Sequence, residues 1–202
     1  MTHIRRGEKV FVMKRLLLIL ILTFSFQTLA KADDIRDFQI EGMSIGDSLL
    51  DFYSKNKAKS FIQKKQYPKS QRIKIYMLKD EKFTTYDYVS ADIIEDGTYR
   101  ILKISGKIRF KNNIDDCYNK MNEIDNDLKE IFTEKNRYSG DKKHRGDKSG
   151  KSTMKVIGYS LKDDDINIQC TDWSDEMKFT DVLTLMLMSK EWQNFIDNEA
   201  YK

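Results

Sequence analysis

Nine residues, His144-Arg145-Gly146-Asp147-Lys148-Ser149-Gly150-Lys151-Ser152, have the residue types of a phosphate-binding loop. That loop needs four residues between its first Gly and the Gly-Lys-Ser/Thr. The spacing lets a ring of backbone N–H groups close round the phosphates. Here three residues separate Gly146 from Gly150, and Arg145 stands where the first glycine belongs. A buried strand should also precede the loop. Instead the polar run Glu134 to Lys143 does. Nucleotide binding is therefore set aside, and the RGD tripeptide is given no weight. The segment 135–152 is expected to be a basic, flexible, solvated loop.

Other chemistry is scarce. The histidines are His3 and His144. A multi-histidine metal site is excluded by count, and a Ser-His-Asp or Cys-His arrangement needs a fixed histidine. Asp163-Asp164-Asp165 has acids suited to calcium, but lacks the alternating ligands and glycine of an EF-hand loop. A solvated turn is the reading preferred. Asp172-Trp173-Ser174-Asp175-Glu176 sets an aromatic ring beside acids, as a sugar site would. Paired carboxylates from distant segments would suit glycoside hydrolysis, though one sequence identifies no such pair. Tyr76, Tyr86, Tyr88 and Tyr99 cluster where strands are expected, and strands favour tyrosine in any case. No catalytic, cofactor-binding or metal-ligating residue is assigned, and no cofactor is implied.

The N-terminus suggests export. Met13-Lys14-Arg15 is a basic region, and an apolar stretch follows from Leu16. Ala30-Lys31-Ala32 has the small-residue spacing of a signal peptidase site, so residues 1–32 are expected to leave and Asp33 to begin the mature chain. Met13 is an alternative start. The competing reading is an uncleaved anchor, but Leu16 to Ala30 is shorter than the roughly 20 residues a spanning helix needs. No stable transmembrane segment is expected after cleavage, and the setting is periplasmic.

Losing residues 1–32 takes six bases and one acid, leaving 30 basic and 31 acidic residues. The net charge is then about −1, with both signs interleaved as on an ordinary surface. The basic balance of the whole chain is thus no argument for nucleic acid.

The elements follow from periodicity. Ser44 is expected to cap a first helix carrying Leu49, Leu50, Phe52 and Tyr53, with Asp47 as in a capping box. A second helix is expected over Lys57 to Lys65, ended by Pro68. A three-stranded meander over 72–111 turns at Asp96-Gly97. In its last strand Leu102, Ile104, Ile108 and Phe110 share one face, with Gly106 a candidate bulge. Lys103, Ser105, Lys107 and Arg109 make the other face, expected to be solvated. Within 112–134, Ile114, Cys117, Met121, Ile124, Leu128 and Ile131 fall at spacings of three and four. That is the stripe of an amphipathic helix from Asn113 to Glu134. Residues 153–202 read as two strands, an apolar run Val182 to Met188 that fits a central strand or a buried helix, and a last helix over Glu191 to Asn198. The order ααβββ-α-βββ-α implies an α+β fold with antiparallel sheet: an ααβββ half over 33–111, the amphipathic helix over 112–134, and a βββα half over 153–202 that joins 33–134 in one compact domain.

Cys117 lies on the helix stripe and Cys170 on the apolar face of its strand, so both should point into one core. A disulfide is expected, two buried thiols being the alternative. The bridge would stabilise the fold by roughly 4 kcal/mol in the chain-entropy account.

Ile40-Glu41-Gly42-Met43-Ser44-Ile45-Gly46-Asp47-Ser48-Leu49, leading to a helix pair and a meander, resembles the start of the SmpA/OmlA (BamE-like) envelope protein family. The resemblance covers residues 38–111. It implies an ααβββ architecture and an envelope setting, and no functional residue transfers. The family's lipid-bearing Cys after the signal has no equivalent here, nor does 112–202 have a counterpart there. The expected function is that of an exported, non-enzymatic binding protein with an envelope partner, met at the meander edge or the 135–152 loop. The alternatives are a carboxylate-dependent periplasmic hydrolase, or small-molecule binding between sheet and helix.

Overall fold

The computed structural model describes residues 35–111, 113–132 and 136–202. Ala30, Ala32, Asp33 and the rest of the expected export signal lie outside them. The described residues form one compact unit. Its strands are β1 (Ile73–Leu78), β2 (Tyr88–Ile94), β3 (Ile101–Phe110), β4 (Arg137–Lys143), β5 (Thr153–Ser160), β6 (Asp164–Asp172) and β7 (Asp181–Ser189). The helices are α1 (Lys55–Ser60), α2 (Ile114–Ile131) and α3 (Lys190–Asn198). The strands make one seven-stranded antiparallel sheet in the order β1-β2-β3-β7-β6-β5-β4. The fold is α+β, as the element pattern implies. The apolar run Val182 to Met188 is the middle of that sheet, with β3 on one side and β6 on the other.

Several details differ from the sequence reading. The first expected helix is a single 3-10 turn, Leu49–Asp51, capped by Ser48 rather than Ser44. Ser44 accordingly turns its hydroxyl backwards, donating to the carbonyls of Arg36 and Phe38. Gly46 takes φ 92°, which a right-handed helix cannot contain. The chain instead runs beside β3, Gly46 N–H bonding to Ile101 O and Leu49 N–H to Tyr99 O.

The second expected helix is shifted and shortened to α1, with Ser54 accepting from Lys57 N–H at its start. Pro68 does not end it; the chain leaves the helix at Phe61 to cover the outer edge of β1. There Met77 N–H bonds to Phe61 O, and Ile75 N–H to Gln66 Oε1.

Another difference is in 135–152. It is not a flexible loop throughout, since Arg137–Lys143 forms edge strand β4, paired along its length with β5.

α2 packs its stripe on one face of the sheet. Cys117, Met121 and Leu128 are buried, and Cys117 bonds to Cys170 of β6 with S–S 2.00 Å and Cα–Cα 6.0 Å. The expected disulfide is present. The other face holds a smaller core beneath α3: Tyr67, Ile73, Ile94, Leu102, Phe195 and Ala200. Leu102 reaches it through a bulge. Asp92 pairs with Lys103 and Ile93 with Ile101, leaving Leu102 as the extra residue. The bulge is therefore at Leu102 and not at Gly106. Nor is the Lys103 face simply solvated: Ser105 is buried, and Lys103 lies 4.6 Å from the Trp192 ring centroid.

Candidate functional site

The antiparallel register gives the sheet two unlike ends. The connections 95–100 and 161–163 and the start of α3 meet at one. There charges are paired: Glu191 bridges Arg72 (3.1 Å) and Arg100 (2.9 Å), Glu95 holds Lys74 (2.9 Å), and Asp163 meets Lys190 (3.4 Å). The connections 79–87, 144–152 and 173–180 meet at the opposite end. There Asp80, Asp87, Asp147 and Asp181 accept from backbone N–H groups, and several cations form no ion pair among the described residues.

A broad open cleft of 1180 Å³ lies along 79–87, walled by the rings of Tyr53, Phe83, Tyr86 and Tyr88. Glu41 fixes this connection from a distance in sequence, accepting from the N–H groups of Thr84 (3.2 Å), Thr85 (2.8 Å) and Tyr86 (2.9 Å). Tyr86 then lies where a side chain on residue 106 would be: a Cβ there would come within 2.5 Å of the ring. That seat, and not a bulge, is the use made of Gly106.

Of the three acids that line the cleft, Asp80, Glu81 and Asp87, the first and last are engaged. Asp80 accepts from Lys82 N–H (3.0 Å), and Asp87 from Arg109 N–H (2.6 Å). Burial, with Asp80 alongside, pushes the Tyr53 phenol up to about 12. By contrast Lys79, Lys82 and Arg109 meet no carboxylate among the described residues. Arg109 lies over the Tyr88 ring at 4.9 Å, with Lys107 at 5.4 Å from the same ring. Burial, with Lys103 adding to it, lowers the Lys107 pKa.

The nine residues that resemble a phosphate loop do something else. Asp147 is the centre of a closed hydrogen-bond node. Its carboxylate accepts from Ser149 N–H (2.8 Å), Ser152 N–H (2.9 Å), Ser152 Oγ (2.6 Å) and Ser174 Oγ (2.9 Å). These bonds, Ser152 first, hold its pKa well below the carboxylate range. Ser152 is fully buried, and its Oγ also accepts from Ser174 N–H (2.9 Å). It is a tie between two connections and not a free nucleophile.

His144 lies tilted against Trp173 (4.2 Å), and Trp173 meets Phe179 edge-on (5.0 Å). Trp173 N–H donates to Asp181 (2.9 Å). Asp172 is a carboxyl raised by burial and then by Asp181.

The remaining sequence candidates disperse. Asp163 pairs with Lys190, while Asp164 accepts from Lys190 N–H (3.3 Å). Asp164 and Asp165 are neighbours within β6, so they face opposite ways. Tyr76 and Tyr99 are buried in the core, Tyr76 donating to Glu95 (2.7 Å). Only Tyr86 and Tyr88 of the tyrosine cluster reach the cleft. The sequence marks none of Glu41, Tyr53, Lys79, Lys82 and Arg109 as a site residue. No local motif marks them, because the fold brings them together.

Compared with family models, curated proteins and solved structures, the chain gives no match. Among the described residues no helix is long and apolar enough to cross a membrane.

Proposed function

We propose that this chain is an exported, non-enzymatic binding protein of a bacterial envelope, and that the 79–87 cleft receives an anionic ligand or partner. One observation carries the reading. Glu41, Asp80 and Asp87 each accept from backbone N–H groups, while Lys79, Lys82 and Arg109 have no carboxylate partner among the described residues. Carboxylates held in this way are poorly placed to act as general acid and base. Unpaired cations beside aromatic rings suit an anion with an apolar part. The Cys117–Cys170 disulfide supports an oxidising compartment. The resemblance of residues 38–111 to the SmpA/OmlA family supports the envelope setting.

The test is cross-linked co-purification from the envelope of an exporting host. The triple variant Lys79→Glu, Lys82→Glu, Arg109→Glu is run beside the unmodified chain. A partner at stoichiometric yield, lost in the variant, is expected. A partner retained by the variant would move the site elsewhere. The intact mass from the same host tests export: it should begin at Asp33 and rise by two hydrogens on reduction.

The second reading is a carboxylate-dependent hydrolase, favoured by Asp172, whose raised pKa suits a general acid beside Trp173. No partner, together with a hydrolytic activity abolished by Asp172→Asn, would establish it.

A further inference from the structure

Along β3, Lys103, Ser105, Lys107 and Arg109 alternate with Ile104, Ile108 and Phe110, which pack on the main core. All four side chains therefore stand on the opposite face of the sheet, the one that α3 covers at its far end. We propose, resting on the cleft reading above, that Ser105, Lys107 and Arg109 seat the anionic group of the cleft's ligand, and that this group is a carboxylate.

The seat is made of donors without acceptors. Ser105 is 2% exposed, and its hydroxyl is the buried side-chain polar atom that lacks a hydrogen-bond partner among the described residues. A fold gains nothing from such a group, so its presence points to a use outside the fold. Lys107 is half-buried and Arg109 exposed, and neither cation meets a carboxylate among the described residues. Both lie against one ring, Tyr88, at 5.4 and 4.9 Å, so two like charges are held together. Burial and Lys103 already press Lys107 towards its neutral form. An oxyanion between them satisfies the hydroxyl and both cations at once. Exposure falls from Arg109 through Lys107 to Ser105, and Tyr88 and Arg109 line the cleft. The strand thus leads inward from the cleft to the buried hydroxyl.

The local charges select a single negative charge. Lys103, Lys107 and Arg109 stand against Asp87 and Asp92. Asp92 is committed to Lys103 (3.5 Å) and to the Tyr67 hydroxyl (2.8 Å), and Asp87 to the Arg109 N–H (2.6 Å). The excess is one positive charge, which one carboxylate balances and a phosphate dianion overshoots. A guanidinium also takes both oxygens of a carboxylate. The strand beside the seat adds no charge: Met186, Thr184 and Val182 of β7 stand opposite Ser105, Lys107 and Arg109. With Tyr88 they offer an uncharged wall to the body of the ligand.

The test uses the full chain purified from an exporting host. Benzoate, its neutral analogue benzamide, and inorganic phosphate are the probes, read by amide shifts in proton–nitrogen spectra. Benzoate is expected to move the amides of Tyr88, Ser105, Lys107 and Arg109, and benzamide to leave them. Ser105→Ala and Lys107→Met should each weaken benzoate about fivefold or more. Both should melt no lower than the parent, since each removes a polar group that the fold leaves without a partner. Three results would overturn the proposal: an equal response to benzamide, phosphate bound more tightly than benzoate, or variants that bind benzoate like the parent. The same two variants also enter the envelope co-purification, where loss of the partner is expected. A partner kept by both but lost in the Lys79, Lys82, Arg109 variant sinks the seat and leaves the cleft reading standing.

Discussion

Asp125 is 3% exposed, yet it is charged. Burial alone would raise its pKa. Arg137, gripping both carboxylate oxygens at 2.8 and 3.0 Å, overrides that, with Lys129 (2.7 Å) and the Tyr159 hydroxyl (2.7 Å). The result is a carboxyl lowered to about 2. A depressed pKa contributes stability that is complete above the unfolded value, near 4, and is lost as pH falls through the folded one. From the size of the shift that contribution is about 2 kcal/mol. Asp125→Asn leaves Arg137 half-buried without its partner and should cost about 3 kcal/mol at neutral pH. Urea denaturation at pH 6 and pH 2.5 checks both statements. The unmodified chain should lose stability between the two pH values, and the variant should lose markedly less.

At the scale of elements, the same contact explains β4. Its sequence, Arg137-Tyr138-Ser139-Gly140-Asp141-Lys142-Lys143, is exposed along most of its length. It is a strand because β5 offers a ladder and because Arg137 is fastened to α2 through Asp125. Arg137→Ala should therefore accelerate amide exchange across 137–143 while leaving β6 and β7 protected. Equal exchange in both proteins would show that the ladder alone suffices.

This strand also marks where sequence stops being legible. α2 and β6 could be read because each buries one face, and burial writes a period of 3.6 or 2 into the chain. The Cys117–Cys170 bridge follows from those two periods. An edge strand that buries almost nothing writes no period. At the other extreme, the apolar run of β7 fits a central strand but leaves a buried helix open, since an element buried on both faces loses its alternation. The cleft was illegible for a different reason. What makes Lys79, Lys82 and Arg109 available is that nearby carboxylates accept backbone N–H groups. Composition shows only interleaved charges of both signs. Glu41 reaches Tyr86 across 45 positions, a pairing that no local spacing announces.

For the whole molecule, the position of β7 has a consequence for order in time. It is the middle strand of the sheet and the last strand in the chain. During synthesis β1–β3 and β4–β6 exist before it. Until Asp181–Ser189 arrives, β3 and β6 each present an unsatisfied row of backbone groups to solvent and to other chains. The two meanders cannot settle as neighbours without the strand that joins them, so assembly waits for Asp181–Ser189. A chain ending at Thr180 should consequently sediment as aggregate at concentrations where the full chain stays dispersed, and a monodisperse truncated chain would refute this. The C-terminal segment is thus the keystone, set last, on which the two flanking arches lean.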